Sequence, residues 1–129
     1  MAAKNKIDFD AVRKMGLALP GVEESTMYGS PALKIGGRLL ACVAVHKSAE
    51  PGSLVVCIPF DHREEILATA PDVYYLTDHY VNYPVVLVRM SRIHHDALRD
   101  LLRMGWRVVT ANAPRGKRTV KGTGSRARK

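Results

Sequence analysis

The sequence predicts one α+β domain in which helices pack on a largely antiparallel sheet. Its 129 residues suit a single hydrophobic core. The content of 47% apolar and 25% charged residues is typical of a globular protein. Helical and strand-like patterns follow one another in groups, and short turns join the strands, which favours antiparallel pairing. We therefore expect the element order α-β-β-β-α-β-β-α.

The first helix is predicted from its cap and its apolar spacing. Asp8 can accept hydrogen bonds from the free amides of the first turn, and Pro20 with Gly21 ends the helix. In between, apolar residues recur every three or four positions. These residues are Phe9, Val12, Met15 and Leu19. Residues 22–25 are then expected to connect the helix to the sheet.

Three strands are expected next. Residues 26–35 have the pattern of one extended segment with a break at 29–31, and two glycines then turn the chain into a strand over 38–45. The apolar run at 53–59 predicts a third strand with both faces partly covered. Two cysteines fall on the last two strands, where buried free thiols are expected rather than a disulfide. They are Cys42 and Cys57.

The second half of the chain is predicted as a helix, strands and a final helix. Asp61 and Glu64 have the spacing of a capping box for a short helix. Residues 73–77 and 83–90 are strand-like. A last helix is expected to begin at 94–96 and to fray near its C-terminal end. Its core-facing residues are predicted to be Ala97, Leu98, Leu101, Leu102, Gly105, Trp106 and Val109.

The net charge of +8 is concentrated at the C-terminus. After residue 114 there are seven basic residues and no acidic one, whereas the rest of the chain has 13 basic and 12 acidic residues. The Gly, Ser and basic composition of this stretch is typical of a disordered arm. We predict a domain over 1–113 and a basic tail over 114–129. The tail contains Arg115, Lys117, Arg118, Lys121, Arg126, Arg128 and Lys129.

The last predicted helix carries a row of arginines. Arg99, Arg103 and Arg107 recur every fourth residue, beside Asp96 and Asp100, which can neutralise part of the row. The row is compatible with an ordinary solvated helix face. Because it leads directly into the basic tail, it also indicates a track for nucleic-acid phosphates. We therefore expect nucleic acid, DNA in the first place, as the partner of these arginines and the tail.

Residues 77–84 form the most polar and aromatic stretch of the predicted domain. His79, Tyr80 and Tyr83 lie within it. Such a mixture can line a small-molecule pocket or stack on bases, or its tyrosine rings can simply cover the sheet. It supports an alternative hypothesis, a small-ligand or protein-interaction module that uses the sheet surface and this loop.

No motif of a known enzyme class is present. The sequence contains no G-x-S-x-G, no G-x-G-x-x-G, no P-loop and no H-E-x-x-H, and no two of its five histidines have the i, i+4 spacing of a helical metal pair. We therefore expect a non-enzymatic protein without a cofactor or metal. The first residues lack an apolar signal region, and the longest apolar run is far shorter than the roughly 20 residues of a membrane span. A cytoplasmic protein without a membrane partner is expected.

Four stretches of the chain resemble the MmcQ/YjbR family of small bacterial domains. They are LALPGVEES, YGSPALKIGGRLLA, TDHYVNYPVVLVRM and LRDLLRMGWRVV, in this order. The resemblance implies a CyaY-like, that is frataxin-like, α+β fold, and the family is commonly described as DNA-binding. It also marks Glu24, Tyr28 and Lys34 as candidates for a contact surface. Frataxins handle iron through an acidic first helix, whereas this helix also carries Arg13 and Lys14, so iron binding is not expected.

Overall fold

The computed structural model describes residues 7–111, which form three helices and a six-stranded sheet. The predicted basic tail lies outside the described residues. The elements are α1 (Phe9–Leu17), β1 (Val22–Met27), β2 (Ser30–Ile35), β3 (Arg38–Val43), β4 (Ser53–Cys57), α2 (Phe60–Thr69), β5 (Tyr74–Tyr75), β6 (Val85–Arg89) and α3 (His95–Ala111).

The α+β class predicted from the sequence is confirmed. The strands lie in the order β1-β2-β3-β4-β6-β5, and every neighbouring pair is antiparallel. All five residues of β4 are buried, as its apolar run indicates for a strand with both faces partly covered. None of the helices in residues 7–111 is long and apolar enough to cross a membrane.

The first extended segment is two strands rather than one. Val22–Met27 pairs with Ser30–Ile35, so the predicted break is a hairpin turn and the predicted connection at 22–25 is part of an edge strand. The turn residues Tyr28 and Gly29 have φ angles of 54° and 79°. Two positive φ values define a type I′ turn, whose twist matches that of paired strands. Four strands therefore precede α2, one more than predicted.

One face of the sheet carries the helices. α1 packs over β1 and β2, and α3 packs over β3 and β4. A register shift in the β2–β3 pair leaves Leu40 without a partner. This bulge lets Leu40 and Ala41 both face the helices, while Leu39 and Cys42 face the opposite side. The bulge therefore determines which side chains remain on the face that the helices leave open.

The predicted cap of α1 and the predicted buried face of α3 are confirmed, whereas α1 ends at Leu17, before the expected stop at Pro20 and Gly21. The carboxylate of Asp8 accepts a hydrogen bond from the amide of Ala11 at 3.2 Å. The indole N–H of Trp106, a half-buried residue, donates to the carbonyl of Pro20 at 2.8 Å and so joins α3 to the end of α1. The buried face of α3 consists of Leu98, Leu101, Leu102, Gly105 and Val109.

The capping box predicted for α2 is wrong. Pro59, in an extended conformation, occupies the N-cap position, and its carbonyl accepts the first turn's hydrogen bond from His62 at 3.1 Å. Asp61 therefore lies inside the first turn and makes no capping hydrogen bond. Its charge still lies at the end of the helix dipole that favours an anion. The helix is peripheral, and none of its side chains is buried.

Candidate functional site

The sheet face opposite the helices holds an apolar cleft of about 800 Å³. This volume falls in the range of roughly 300–1,000 Å³ that is usual for small-molecule sites. The strand register places Cys42 beside Val55 and Cys57 beside Val85, so neighbouring strands contribute adjacent side chains. The floor of the cleft is formed by Leu39, Cys42, Val55, Cys57 and Val85.

The cleft extends along β3. Arg38, the first residue of β3, lies at one end, and Val45 lies beyond the other end of the strand. Val108 and Val109 from the last turns of α3 also line the cleft. The strand residues from Leu39 to Val43 alone cover roughly 13 Å at about 3.3 Å per residue. The cleft is therefore elongated in the direction of β3.

Three rings close the cleft near the C-terminal end of β3. The imidazoles of His46 and His79 stack with centroids 3.5 Å apart and an angle of 8° between their planes. The ring of Tyr80 meets His79 edge-on at 4.7 Å. Desolvation of the ring, followed by the neighbouring His79 and Lys47, lowers the pKa of His46. His46 is therefore harder to protonate than an ordinary imidazole.

The proton of neutral His46 is placed by a local hydrogen bond. Its Nδ1 accepts from the backbone amide of Ser48 at 3.1 Å, which leaves Nε2 as the protonated nitrogen. The Ser48 hydroxyl also lies 2.8 Å from the hydroxyl of Thr77. These contacts join the loop after β3 to the loop that carries His79. Within residues 7–111, no group of three or more His, Cys, Asp or Glu side chains is arranged to hold a metal ion.

One wall of the cleft is the loop over residues 77–84, and α2 holds it in place. The guanidinium of Arg63 donates to the carbonyl of Tyr83 at 2.7 Å and to that of Val81 at 2.8 Å. Arg63 also lies over the ring of Phe60, 4.9 Å from its centroid. The sequence pattern does not reveal this role, because the two carbonyls lie 18 and 20 residues away from the arginine.

The two cysteines of the floor are free thiols, as expected. Burial raises the pKa of Cys42 to about 11 and that of Cys57 to about 12. The Sγ of Cys57 donates to the carbonyl of Leu39 at 3.0 Å. Both groups are therefore protonated at neutral pH and contribute apolar surface rather than a nucleophile.

The structure brings together most of the residues predicted as a contact surface. Tyr28, His79, Tyr80 and Tyr83 all line the cleft. Lys34 lies on the same sheet face, next to Leu39 in the strand register. Glu24 lies on the helix side, where it forms an ion pair with Arg13 of α1. Glu24 is thus separated from the other five candidates. Among these, Tyr28 has a strained, positive φ angle, and its side chain is 86% exposed.

Arg38 and His46 are cleft residues that the sequence pattern did not single out. Arg38 follows the glycine turn of the β2–β3 hairpin, and His46 follows β3. Both residues reach the cleft because β3 forms part of its floor. Strict alternation along β3 would also place Leu39 and Cys42 on opposite faces of the sheet. The bulge shifts the alternation by one residue, so both face the cleft.

The predicted arginine row lies on the exposed face of α3. Arg99, Arg103 and Arg107 are all exposed, and a rise of about 1.5 Å per residue spaces them over roughly 12 Å of helix. Arg99 contacts Asp96 at 3.2 Å. Among the described residues, neither Arg103 nor Arg107 has a carboxylate within ion-pair distance. The remaining predicted phosphate contacts, Arg115 to Lys129, lie outside the described residues.

The fold has a counterpart among solved structures. No family model matches the sequence, and no curated protein matches it. The crystal structure of the Deinococcus radiodurans protein DR2400, a DUF419 domain, superposes with a TM-score of 0.68. The two sequences are 20% identical, and the match covers 84% of this chain and 82% of that one. The protein therefore has the same α+β fold as a DUF419 domain.

Proposed function

We propose that the protein is an MmcQ/YjbR-type, non-enzymatic protein of the cytoplasm that binds nucleic acid, DNA in the first place, through phosphate contacts. The exposed arginine row of α3 is the observation that supports this proposal. Two of its three guanidiniums, those of Arg103 and Arg107, have no carboxylate partner among the described residues. Exposed arginines in such a row are suited to phosphate oxygens, which they can contact in bidentate fashion.

Most of the attraction must come from the basic tail. Residues 7–111 carry 11 basic and 12 acidic side chains, so this part of the chain is close to neutral. The seven basic residues after residue 114 would extend the arginine row from the C-terminal end of α3. Phosphate contacts of this kind fix position and affinity but carry no sequence information. We therefore propose binding with little sequence preference.

Fluorescence anisotropy of a labelled DNA duplex over a salt series tests the proposal. If all seven tail charges contact phosphates, the logarithm of the binding constant falls with the logarithm of the salt concentration with a slope of about −6 from the tail alone. A chain that ends at Ala113 should lose most of this slope. The same duplex sequence made as RNA shows whether DNA is preferred.

A pair of matched arginine variants tests the role of α3. Arg103→Gln should weaken DNA binding at every sequence and reduce the salt slope by about one. Arg38→Gln, on β3 and outside the arginine row, removes the same charge and should change the slope less. No DNA binding by the full chain at low salt would refute the proposal. Equal losses in the two variants would show that only net charge matters.

A further inference from the structure

We propose that the cleft binds a small amphipathic carboxylate, with a slender aliphatic body along β3 and its carboxylate beside Arg38. This site is separate from the nucleic-acid surface proposed for α3. The floor offers aliphatic and thiol side chains only, from Leu39, Cys42, Val55, Cys57 and Val85. An aliphatic body transferred there from water gains about fourfold in affinity for each buried CH₂ group.

Charge complementarity specifies the head group. The cleft lining contains no Asp or Glu, and Arg38 is its one residue with a permanent charge. Within the described part of the chain, Arg38 forms no ion pair and no side-chain hydrogen bond. Lys34 lies nearby on the same face, but Glu23 is directly opposite it on β1. Arg38 is therefore the group available to a ligand carboxylate.

The orientation follows from the two ends of the cleft. The end near Val45 is closed by the stacked rings of His46 and His79, and the pKa of His46 is lowered. The Nδ1 of His46 is already occupied by the amide of Ser48. This end therefore offers aromatic surface without a permanent charge, whereas the Arg38 end offers a cation. The head of the ligand lies at the Arg38 end.

Hydrogen bonds within the chain hold the walls of the cleft in place. Arg63 fixes the backbone of the 77–84 loop, and the hydroxyls of Ser48 and Thr77 tie the same loop to the β3–β4 connection. A preformed site loses little conformational entropy on binding. The basic residues after 114 are unsuited to the cleft. They would bring further positive charge next to Arg38, and the floor of the cleft is apolar.

Calorimetric titration of the full-length chain with octanoate and with 1-octanol tests the proposal. Octanoate should bind with one-to-one stoichiometry, and its binding should have a negative heat-capacity change. Hexanoate should bind more weakly, with affinity increasing about fourfold for each added CH₂ group. Amide NMR shifts should map the site to Leu39, Val55 and Val85. The chain-length series does not depend on any mutation.

The contact between the carboxylate and Arg38 is tested by substituting exposed residues, which leaves the core unchanged. Arg38→Gln should weaken octanoate binding about tenfold and leave 1-octanol binding within about twofold, because a charge-assisted hydrogen bond is lost only with the carboxylate. Arg38→Lys should restore part of the affinity for octanoate. Arg103→Gln is the matched control. It should change the affinity for neither octanoate nor 1-octanol, although the nucleic-acid proposal expects it to weaken DNA binding.

Several results would overturn the proposal. One is the absence of octanoate binding to the folded chain, and another is equal affinity for octanoate and 1-octanol that Arg38→Gln leaves unchanged. A dimer that octanoate disperses in light-scattering chromatography would assign the cleft to a second copy of the chain. Nuclear Overhauser contacts between the basic tail and Val55 in the free protein would assign it to the tail.

Discussion

Gly105 sets the distance between α3 and the sheet. A Cβ added at this position would lie 2.5 Å from the carbonyl oxygen of Cys57 and 3.1 Å from the Cδ1 of Leu40. Backbone atoms of a central strand cannot move aside without disturbing the pairs on both sides. Glycine is therefore required at this position by packing and not by backbone conformation, because the φ angle of Gly105 is not positive.

We expect Gly105→Ala to lower the free energy of unfolding by roughly 1–2 kcal/mol, because overpacking outweighs the higher helix preference of alanine. Gly16→Ala is the comparison, since its added Cβ would meet the side-chain end of Leu33 rather than backbone. Urea unfolding of both variants measures the difference. A Gly105→Ala protein as stable as the wild type would contradict the close approach of α3 and β4.

At the scale of elements, the loop over 77–84 shows how a peripheral helix can shape a site. α2 buries none of its side chains, yet Arg63 supplies two hydrogen bonds to that loop. The pattern of α2 predicts the helix but not this contact. The turn at Tyr28 and Gly29 was likewise hidden, because the MYGS sequence lacks the Asn-Gly or Asp-Gly pair that usually marks a type I′ turn.

We expect Arg63→Ala to release the 77–84 loop with little change in global stability. The carbonyls of Val81 and Tyr83 lose their donors, so amides of the loop should exchange faster in hydrogen–deuterium exchange measured by mass spectrometry. Arg63→Lys should retain only part of the protection, because an ammonium is not the planar fork that reaches both carbonyls. Peptides from α1 provide the internal control. Unchanged exchange in the loop would argue against the anchoring role.

At the scale of the whole molecule, one ion pair links two segments that are 39 residues apart in the chain. Glu50, in the β3–β4 loop, accepts from Arg89 of β6 at 2.9 Å and 2.8 Å. Arg89 also lies over the ring of Tyr75 on β5, 4.3 Å from its centroid. The hydrogen bond from Arg89, opposed by desolvation, lowers the pKa of Glu50 from its ordinary value of 4.5.

This lowered pKa predicts a pH-dependent contribution to stability. Because the carboxyl binds its proton less tightly in the folded state, its contribution is present above pH 4.5 and is lost as the pH falls through the lower folded pKa. We expect Glu50→Gln to be less stable than the wild type at pH 7 and the difference to shrink in acid. Urea unfolding at pH 7 and pH 3 measures it. A difference that grows in acid would contradict the assignment.

The sequence by itself determined the α+β class, the start of α1, the buried face of α3 and the basic composition after residue 114, because these follow from local periodicity, caps and composition. Tertiary structure alone decided that β1 is a strand, that Leu39 and Cys42 face the cleft, that Arg38 and His46 line it, and that Arg63 holds the loop of its wall. These features depend on strand register, on a bulge that shifts the alternation, and on contacts between residues far apart in the chain. Local patterns predict which elements form, whereas the way the elements meet defines the site.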